Sequence, residues 1–486
     1  MNSGRTWIKS LTVNAAMLAV AAAAGTLVSL AAVRYGEVDH RVIGPLPLPL
    51  SIALSFFLFA CFLGVYYRKR LIEKLDSVIP PEEKGLRLLF LLVLAATGYE
   101  AVRMFLFRFI DFWPTDLPSY HYAGAALLER LDPYNADTLE DLAGRSVLPY
   151  VYPPLLAIMW MPLAKLPLEV VHTIFQILSL IALYACIKTA LDFTGAEKPL
   201  SWAFAAGCAL LFTTGHSVYV NIHHGAISIF ITLLVLLFFK RLHEGGDISA
   251  GALLALACGI KALPVLLLLY LVIKKRYRAL AAALVTGALL LGASIIIVGW
   301  EIHWRFVTDV APQLSFSSHS NLGWDAVYHP ENQSINGFMS RVVCGENAAC
   351  PWIIGVMCIA ALIPVAWMAH SRRSTGVAES CGVIMALLLV SPITWFHHQI
   401  LLILPAVFLA VMVAEEKWRP GWWIIILLAF LANQAKDFGR PVFAVKLFFP
   451  WQNVRFFSLV FLYIVILAVW KKTVPAEKAA DGNPSS

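Results

Sequence analysis

Two aspartates, Asp111 and Asp116, follow an apolar stretch and precede or open the aromatic segment TDLPSYHYAGAALLERLDPY, residues 115–134. A carboxylate held at a membrane edge can serve as general base toward a hydroxyl, and either aspartate suits that role. Read singly, each is also an ordinary N-cap or loop residue. Asp132, ahead of a proline in LDPY, reads as a turn residue. A second group lies in SPITWFHHQ, where Trp395 precedes His397 and His398. Neutral imidazoles there can hydrogen-bond a phosphate or shuttle a proton. A third is NQSINGFMSR, residues 332–341, which offers Asn332, Gln333, Ser334 and Arg341. Lys261 interrupts an apolar run in GIKALP. A lysine at membrane depth is costly, so it should face a cavity and meet an anion; snorkelling to the interface is the bland alternative.

Other chemistries lack their residues. HExxH and CxxC are absent, so a metal site has no recognisable ligand set. So are a P-loop, a GxGxxG between strand and helix, and a GxSxG, which argues against nucleotide chemistry in the cytoplasm. Most of the eight cysteines sit in apolar runs as small buried hydrophobes. Cys344 and Cys350 enclose five residues in an outer loop, where a disulfide is expected rather than two free thiols.

The elements that position these groups are membrane helices. The chain is 60% hydrophobic and 14% charged with mean hydropathy +0.75, and its long apolar runs lack the alternation of barrel strands. The net charge of +7 comes from clusters such as YYRKR, KKRYR and HSRRS flanking apolar runs. They report topology, and nucleic acid is not an expected partner. The expected fold is all-α and polytopic, a single membrane domain over residues 1–486 with roughly 12–14 transmembrane helices. An uncleaved first anchor, spans at about 50–67 and 87–106, outer loops at 107–167 and 301–351, and a cytoplasmic tail at 472–486 complete it. The segment YVYPPLLAIMWMPLAKLP is short and has paired prolines, so it should lie at the interface without crossing. With that choice, residues 188–198 and 240–247 fall inside, 216–225 fall outside, and positive charge stays inside throughout.

Taken together, DLPSYHYAGAALLERLDPY, YVYPPLLAIMWMPLAKLP, GIKALPVLLLLYLV, NQSINGF with Arg341, and SPITWFHH resemble glycosyltransferase family 87, of the GT-C class. The resemblance runs in order from about Asp116 to Leu404. It implies a multi-pass enzyme of the bacterial inner membrane with its active site facing the periplasm. Such an enzyme moves a hexose, with mannose the family-level expectation, from a polyprenyl-phosphate donor to a glycan or glycolipid. The lipid-linked sugar is a substrate, and neither a cofactor nor a bound metal is implied. Asp116 matches the family's catalytic aspartate, and His397 and His398 its histidine near the donor phosphate. Lys261, Arg341 and Asn332 would help hold phosphate or sugar, with Asp111, Tyr120, His121, Tyr152, Gln333, Ser334 and Trp395 as further substrate contacts. Inversion at the anomeric carbon is the implied outcome. Two positions depart from the family pattern: Arg130 stands where glycine is common before DPY, and Ala226 where glutamine is common after Gly225.

The physical reading agrees, because a polyprenyl phosphate needs cations at the interface and an apolar groove for its tail. A transporter or flippase of lipid-linked saccharides would instead spread polar groups along a midplane path. A non-enzymatic assembly subunit would use the aromatic loops only as an interface, and an oligosaccharide ligase or polymerase would share most of these features.

Overall fold

The computed structural model describes residues 114–195, 215–315, 327–344, 350–371, 376–415 and 453–481, with a few positions between 425 and 433. Side chains are described to residue 413 in the penultimate of these segments and to 471 in the last. The chain divides into two units, Met1–Trp113 and Pro114–Ser486, and the described residues belong to the second. Asp111 and the first three expected spans lie outside the described residues.

Every regular element among the described residues is helical. Helix α1 (Leu117–Leu128) carries the aromatic segment, α2 is Ala136–Ala143, and α3 (Pro154–Trp160) is the short helix after the paired prolines. At seven residues α3 is far too short to cross a bilayer, as the prolines led us to expect. It packs against α1. Gly124 permits this, since a Cβ there would sit 2.8 Å from the backbone carbon of Trp160.

Helix α4 (Leu168–Thr194) starts after Pro167 with Glu169 in its first turn and stops at Gly195 in the left-handed conformation. Next, α5 (His216–Tyr219) runs through a π-turn to His224; a 117° bend then leads into α6 (Ser228–His243). The bend turns on Gly225, whose φ of +80° favours glycine. A Cβ on Gly225 would also lie 2.5 Å from that of Leu117, so glycine lets the start of α1 close onto the bend.

Helix α7 (Asp247–Ile260) rises to Lys261, and the chain returns through Leu263–Val265 and α8 (Leu266–Ile273). Arg276 pairs with Asp247 at 2.7 Å, which brings the two feet of this excursion together. The interrupted apolar run is therefore a helical hairpin with Lys261 at its tip. The span α9 (Tyr277–Val298) follows and packs closely on α7. Then come α10 (Trp300–Arg305), α11 (Ile335–Met339), α12 (Pro351–Ser371) and α13 (Val377–Val390). A 3-10 segment, Phe396–Leu402, leads into α14 (Ile403–Glu415), and α15 (Val454–Asp481) runs past the basic pair of the expected tail.

Five helices among the described residues are long and apolar enough to cross a membrane, or six if the bent pair 216–224 and 228–243 is one span. The molecule is thus an all-helical multi-pass membrane protein. Charge pairs gather at one end of the helices: Lys240 with Asp192 at 3.3 Å, Arg276 with Asp247, and a fully buried Lys274–Glu379 pair at 2.7 Å that also takes the Tyr270 hydroxyl. Pairing of Lys240 with Asp192 agrees with the placement of 188–198 and 240–247 on one face. The expected functional residues fall elsewhere, around the tip of the hairpin and the loops beside it.

Candidate active site

Asp116 is the N-cap residue of α1, but its side chain makes no cap bond to the helix. Its position is set from the bend instead: the Asp116 N–H donates to the carbonyl of His224 at 2.9 Å. The carboxylate is thereby left for other partners. Thr115 donates a hydrogen bond to it, and Lys261 is the charge that acts on it most strongly. Asp116 keeps part of its surface accessible, yet enough protein packs around it that burial pushes its carboxyl up to about 6, against the lowering effect of Lys261 and then Thr115.

Lys261 is buried at the hairpin tip, where its Nζ lies 3.4 Å from Ser228 Oγ and 5.2 Å from the centre of the Tyr152 ring. The anion it meets is Asp116. Tyr152 is in turn bonded to the hydroxyl of Tyr120 at 3.1 Å, with their rings edge to face at 5.0 Å and Trp160 behind them. Burial and then the Asp116 charge drive the Tyr152 hydroxyl well above the ordinary phenol range, so it stays protonated. The Tyr134 hydroxyl donates to the Tyr152 carbonyl, which fixes the loop between α2 and α3.

His397 and His398 close the site from the 3-10 segment, with rings 4.3 Å apart and both within electrostatic reach of Lys261. The Trp395 N–H donates to His398 Nδ1 at 3.1 Å. That bond assigns the proton of a neutral His398 to Nε2, which is buried, with the Ile393 carbonyl as the main-chain acceptor near the ring. A donor held in this way suits a phosphate oxygen. The segment is anchored by Asn221, which donates to the carbonyls of Ser217 and His397 at 2.8 and 3.0 Å and accepts from the Ile229 N–H at 3.2 Å.

The NQSINGF stretch has a different placement. Asn332 is fully buried, donates to the carbonyls of Val327 and Pro392, and accepts from the Ser334 N–H and hydroxyl and the Thr394 N–H. Gln333 bridges the Pro330 carbonyl and the Phe456 N–H. Arg341 donates to the carbonyls of His329 and Asn332 and to Asn453 Oδ1, each at 2.8 Å. Ser334 caps α11 through the Gly337 N–H at 3.0 Å. These groups staple the outer loop to the segment that carries Trp395, whose ring stacks with His329 at 5.3 Å.

His121 is buried on α1, its ring edge against Tyr122, and Glu169 is its charged neighbour. Asp132 forms the expected turn, accepting from the Tyr134 N–H at 2.9 Å, and adds an ion pair with Arg305. Cys344 and Cys350 are joined by a disulfide, with Cα atoms 5.7 Å apart. Among the described residues no three His, Cys, Asp or Glu side chains cluster to hold a metal ion.

Beside the site, an apolar cavity of about 360 Å³ runs between α7 and α9. Pro153 and Pro154 line it next to Tyr152, as do Cys258 and Gly259 just before Lys261. Sequence reasoning passed over Thr115, Asn221, His224 and Ser228. The signal was the HHGAIS stretch, where two histidines precede a glycine that must bend the chain.

A multi-span helical protein with a carboxylate, a buried ammonium and paired imidazoles beside an apolar groove has the makings of a membrane transferase acting on a lipid-linked substrate. The sequence pattern of glycosyltransferase family 87 matches residues 150–392, half of the chain, and the chain belongs to that family. It is a membrane glycosyltransferase. The match begins after Asp116 and ends before Trp395, His397 and His398.

Among curated relatives, the chain is 26% identical over 340 residues to the polyprenol-phosphate-mannose-dependent alpha-(1-2)-phosphatidylinositol pentamannoside mannosyltransferase of Mycobacterium tuberculosis (strain CDC 1551 / Oshkosh), covering 66% of this chain and 74% of the relative. It is 28% identical over 310 residues to the protein so named from Mycolicibacterium smegmatis (strain ATCC 700084 / mc(2)155), covering 60% and 72%. Similarity to the polyprenol-phosphate-mannose-dependent alpha-(1-2)-phosphatidylinositol mannoside mannosyltransferase of Mycobacterium tuberculosis (strain ATCC 25618 / H37Rv) is 26% over 353 residues, covering 68% and 77%.

Proposed function

We propose that this protein transfers a hexose, mannose by the relatives' names, from a polyprenyl-phosphate donor to a glycan or glycolipid acceptor at the periplasmic face of a bacterial inner membrane. The observation that carries the reading is the meeting of Asp116 and Lys261, with the buried imidazole of His398 within electrostatic reach of Lys261 and an apolar cavity lined by Cys258 and Gly259 just before that lysine.

The groups divide the work by charge. Lys261 and His398 take the donor phosphate, the former as a cation and the latter as a neutral hydrogen-bond donor. The cavity between α7 and α9 takes the isoprenoid tail, for which its leucines, alanines and glycines are suited. Tyr120, Tyr152 and Trp160 supply aromatic surface to the sugar. Asp116 accepts the proton of the acceptor hydroxyl as its oxygen bonds to the anomeric carbon and the bond from that carbon to the phosphate oxygen breaks. Attack opposite the leaving phosphate inverts the anomeric centre. The donor is a substrate, and this chemistry calls on no cofactor or metal. Phosphatidylinositol mannosides, the acceptors in the relatives' names, exemplify the acceptor class without fixing this chain's acceptor.

The test is transfer of radiolabel from synthetic polyprenyl-phosphate sugars to lipid extract by purified protein. Transfer from the mannosyl donor by the unmutated chain and its absence with Asp116→Asn supports the reading. Donor-independent labelling, or full activity of the variant, overturns it.

A further inference from the structure

Asp116 must lose the proton it gains in each transfer, and two residues, Thr115 and His224, form a series leading from it. Thr115 is exposed, and its hydroxyl bonds to the Asp116 carboxylate. The same oxygen lies 2.9 Å from His224 Nδ1. His224, in the π-turn before Gly225, is half-buried, and its backbone carbonyl receives the Asp116 N–H. Carboxylate, hydroxyl and imidazole therefore stand in series, held by a main-chain bond that fixes the first relative to the last. Lys261, Tyr120 and Tyr152 also act on Asp116 electrostatically and are the groups assigned above to the substrates.

We propose that Thr115 and His224 carry the proton away from Asp116 after each transfer, a role that rests on Asp116 being the general base. The O–H bond of protonated Asp116 breaks as its proton passes to Thr115 Oγ. The original Thr115 proton passes to His224 Nδ1, where an N–H bond forms. Thr115 ends unchanged, Asp116 is again a carboxylate, and His224 is an imidazolium that releases a proton to water. Tyr219, on the same turn, has its ring edge-on to His224 at 5.8 Å. The path leads out through an exposed threonine and a half-buried histidine, so the proton need not cross the bound lipid substrates. Thr115 and His224 are positioning residues here, since both act through Asp116.

Such a role separates the first turnover from later ones. At pH 7, where most of Asp116 is ionised, Thr115→Val and His224→Phe should leave the single-turnover rate of sugar transfer within about twofold of the unmutated chain and lower the steady-state rate by more than about tenfold. Thr115→Ser, which keeps the hydroxyl, should restore steady-state turnover. Single-turnover and steady-state rates falling together in both variants would assign these residues to packing, and unchanged steady-state rates would show that Asp116 resets by another path; either overturns the proposal. The unmutated chain serves as control: if it transfers no sugar from a polyprenyl-phosphate donor, the functional reading fails and the relay with it.

Discussion

The carboxylate of Asp116 and the ammonium of Lys261 are brought together by two backbone devices that share no sequence. One is the Gly225 bend, which hands the His224 carbonyl to the Asp116 N–H. The other is the α7–α8 hairpin, which carries Lys261 at its tip and is closed at its feet by Arg276 and Asp247. Each group then tunes the other electrostatically, with measurable consequences for activity and stability.

Asp116→Asn should lower the transfer rate by about 10²–10⁴-fold, the usual range for loss of a general base. It should also raise thermal stability. The folded carboxyl titrates at about 6 against 3.8 in free solution, so keeping it ionised at pH 7 costs up to about 3 kcal/mol, discounted to roughly 1–2 kcal/mol for its solvent access. Because the folded pKa is raised, this cost is absent below pH 3.8 and complete above about 6. Unfolding midpoints of both proteins in detergent at pH 7 check it, and a lower midpoint for the variant contradicts it.

The rate should fall as pH drops below about 6, where Asp116 takes up a proton and can no longer act as base. Lys261 lowers the Asp116 pKa, so Lys261→Met should move this acid limb to higher pH as well as lowering the rate. A profile of kcat/KM from pH 4.5 to 9 for both proteins decides the matter; an unmoved limb would separate the two charges.

Arg130 stands at the C′ position of α1 with φ of +60°. Its own N–H bonds to Leu127 O, and that of Leu131 to Ala126 O, which together make a Schellman motif. The left-handed residue of such a motif is most often glycine. Arg130→Gly should therefore stabilise the protein by about 0.5–1 kcal/mol, relief of backbone strain outweighing the added freedom of the unfolded chain. Thermal unfolding should show a small upward shift with unchanged transfer.

Asn332→Ala removes five hydrogen bonds at a buried position and should cost about 2–4 kcal/mol through the partners left unsatisfied. A loss of stability with KM unchanged in the surviving folded protein would place Asn332 in the brace beneath Trp395. A raised KM with unchanged stability would return it to the substrate.

His398→Gln keeps a polar side chain but not the imidazole Nε2–H fixed by Trp395. Transfer should fall by roughly 10-fold or more, with the deficit in donor binding, because a charge-assisted hydrogen bond is worth about 1.5–3 kcal/mol. Titration with polyprenyl phosphate alone checks this without the acceptor.

The sequence alone determined the solvent in which this protein folds. Apolar runs too long for a soluble core and basic clusters at their ends are local properties, so the helical membrane fold and the short proline segment that does not cross could be read directly. Asp116, Lys261, His397 and His398 stood out because an ionisable group in apolar surroundings demands a reason. Their grouping was a different matter. Whether the run broken at Lys261 was one kinked span or a hairpin depended on Arg276 finding Asp247, and the value of HHGAIS depended on which helix end the bend would receive. NQSINGF looked like a polar ligand set; only tertiary structure decided where its amides turn. Asn332 and Gln333 meet main-chain groups of 392–394 and 456 that no local pattern could announce, since a buried amide is satisfied equally well by a substrate or by a distant carbonyl.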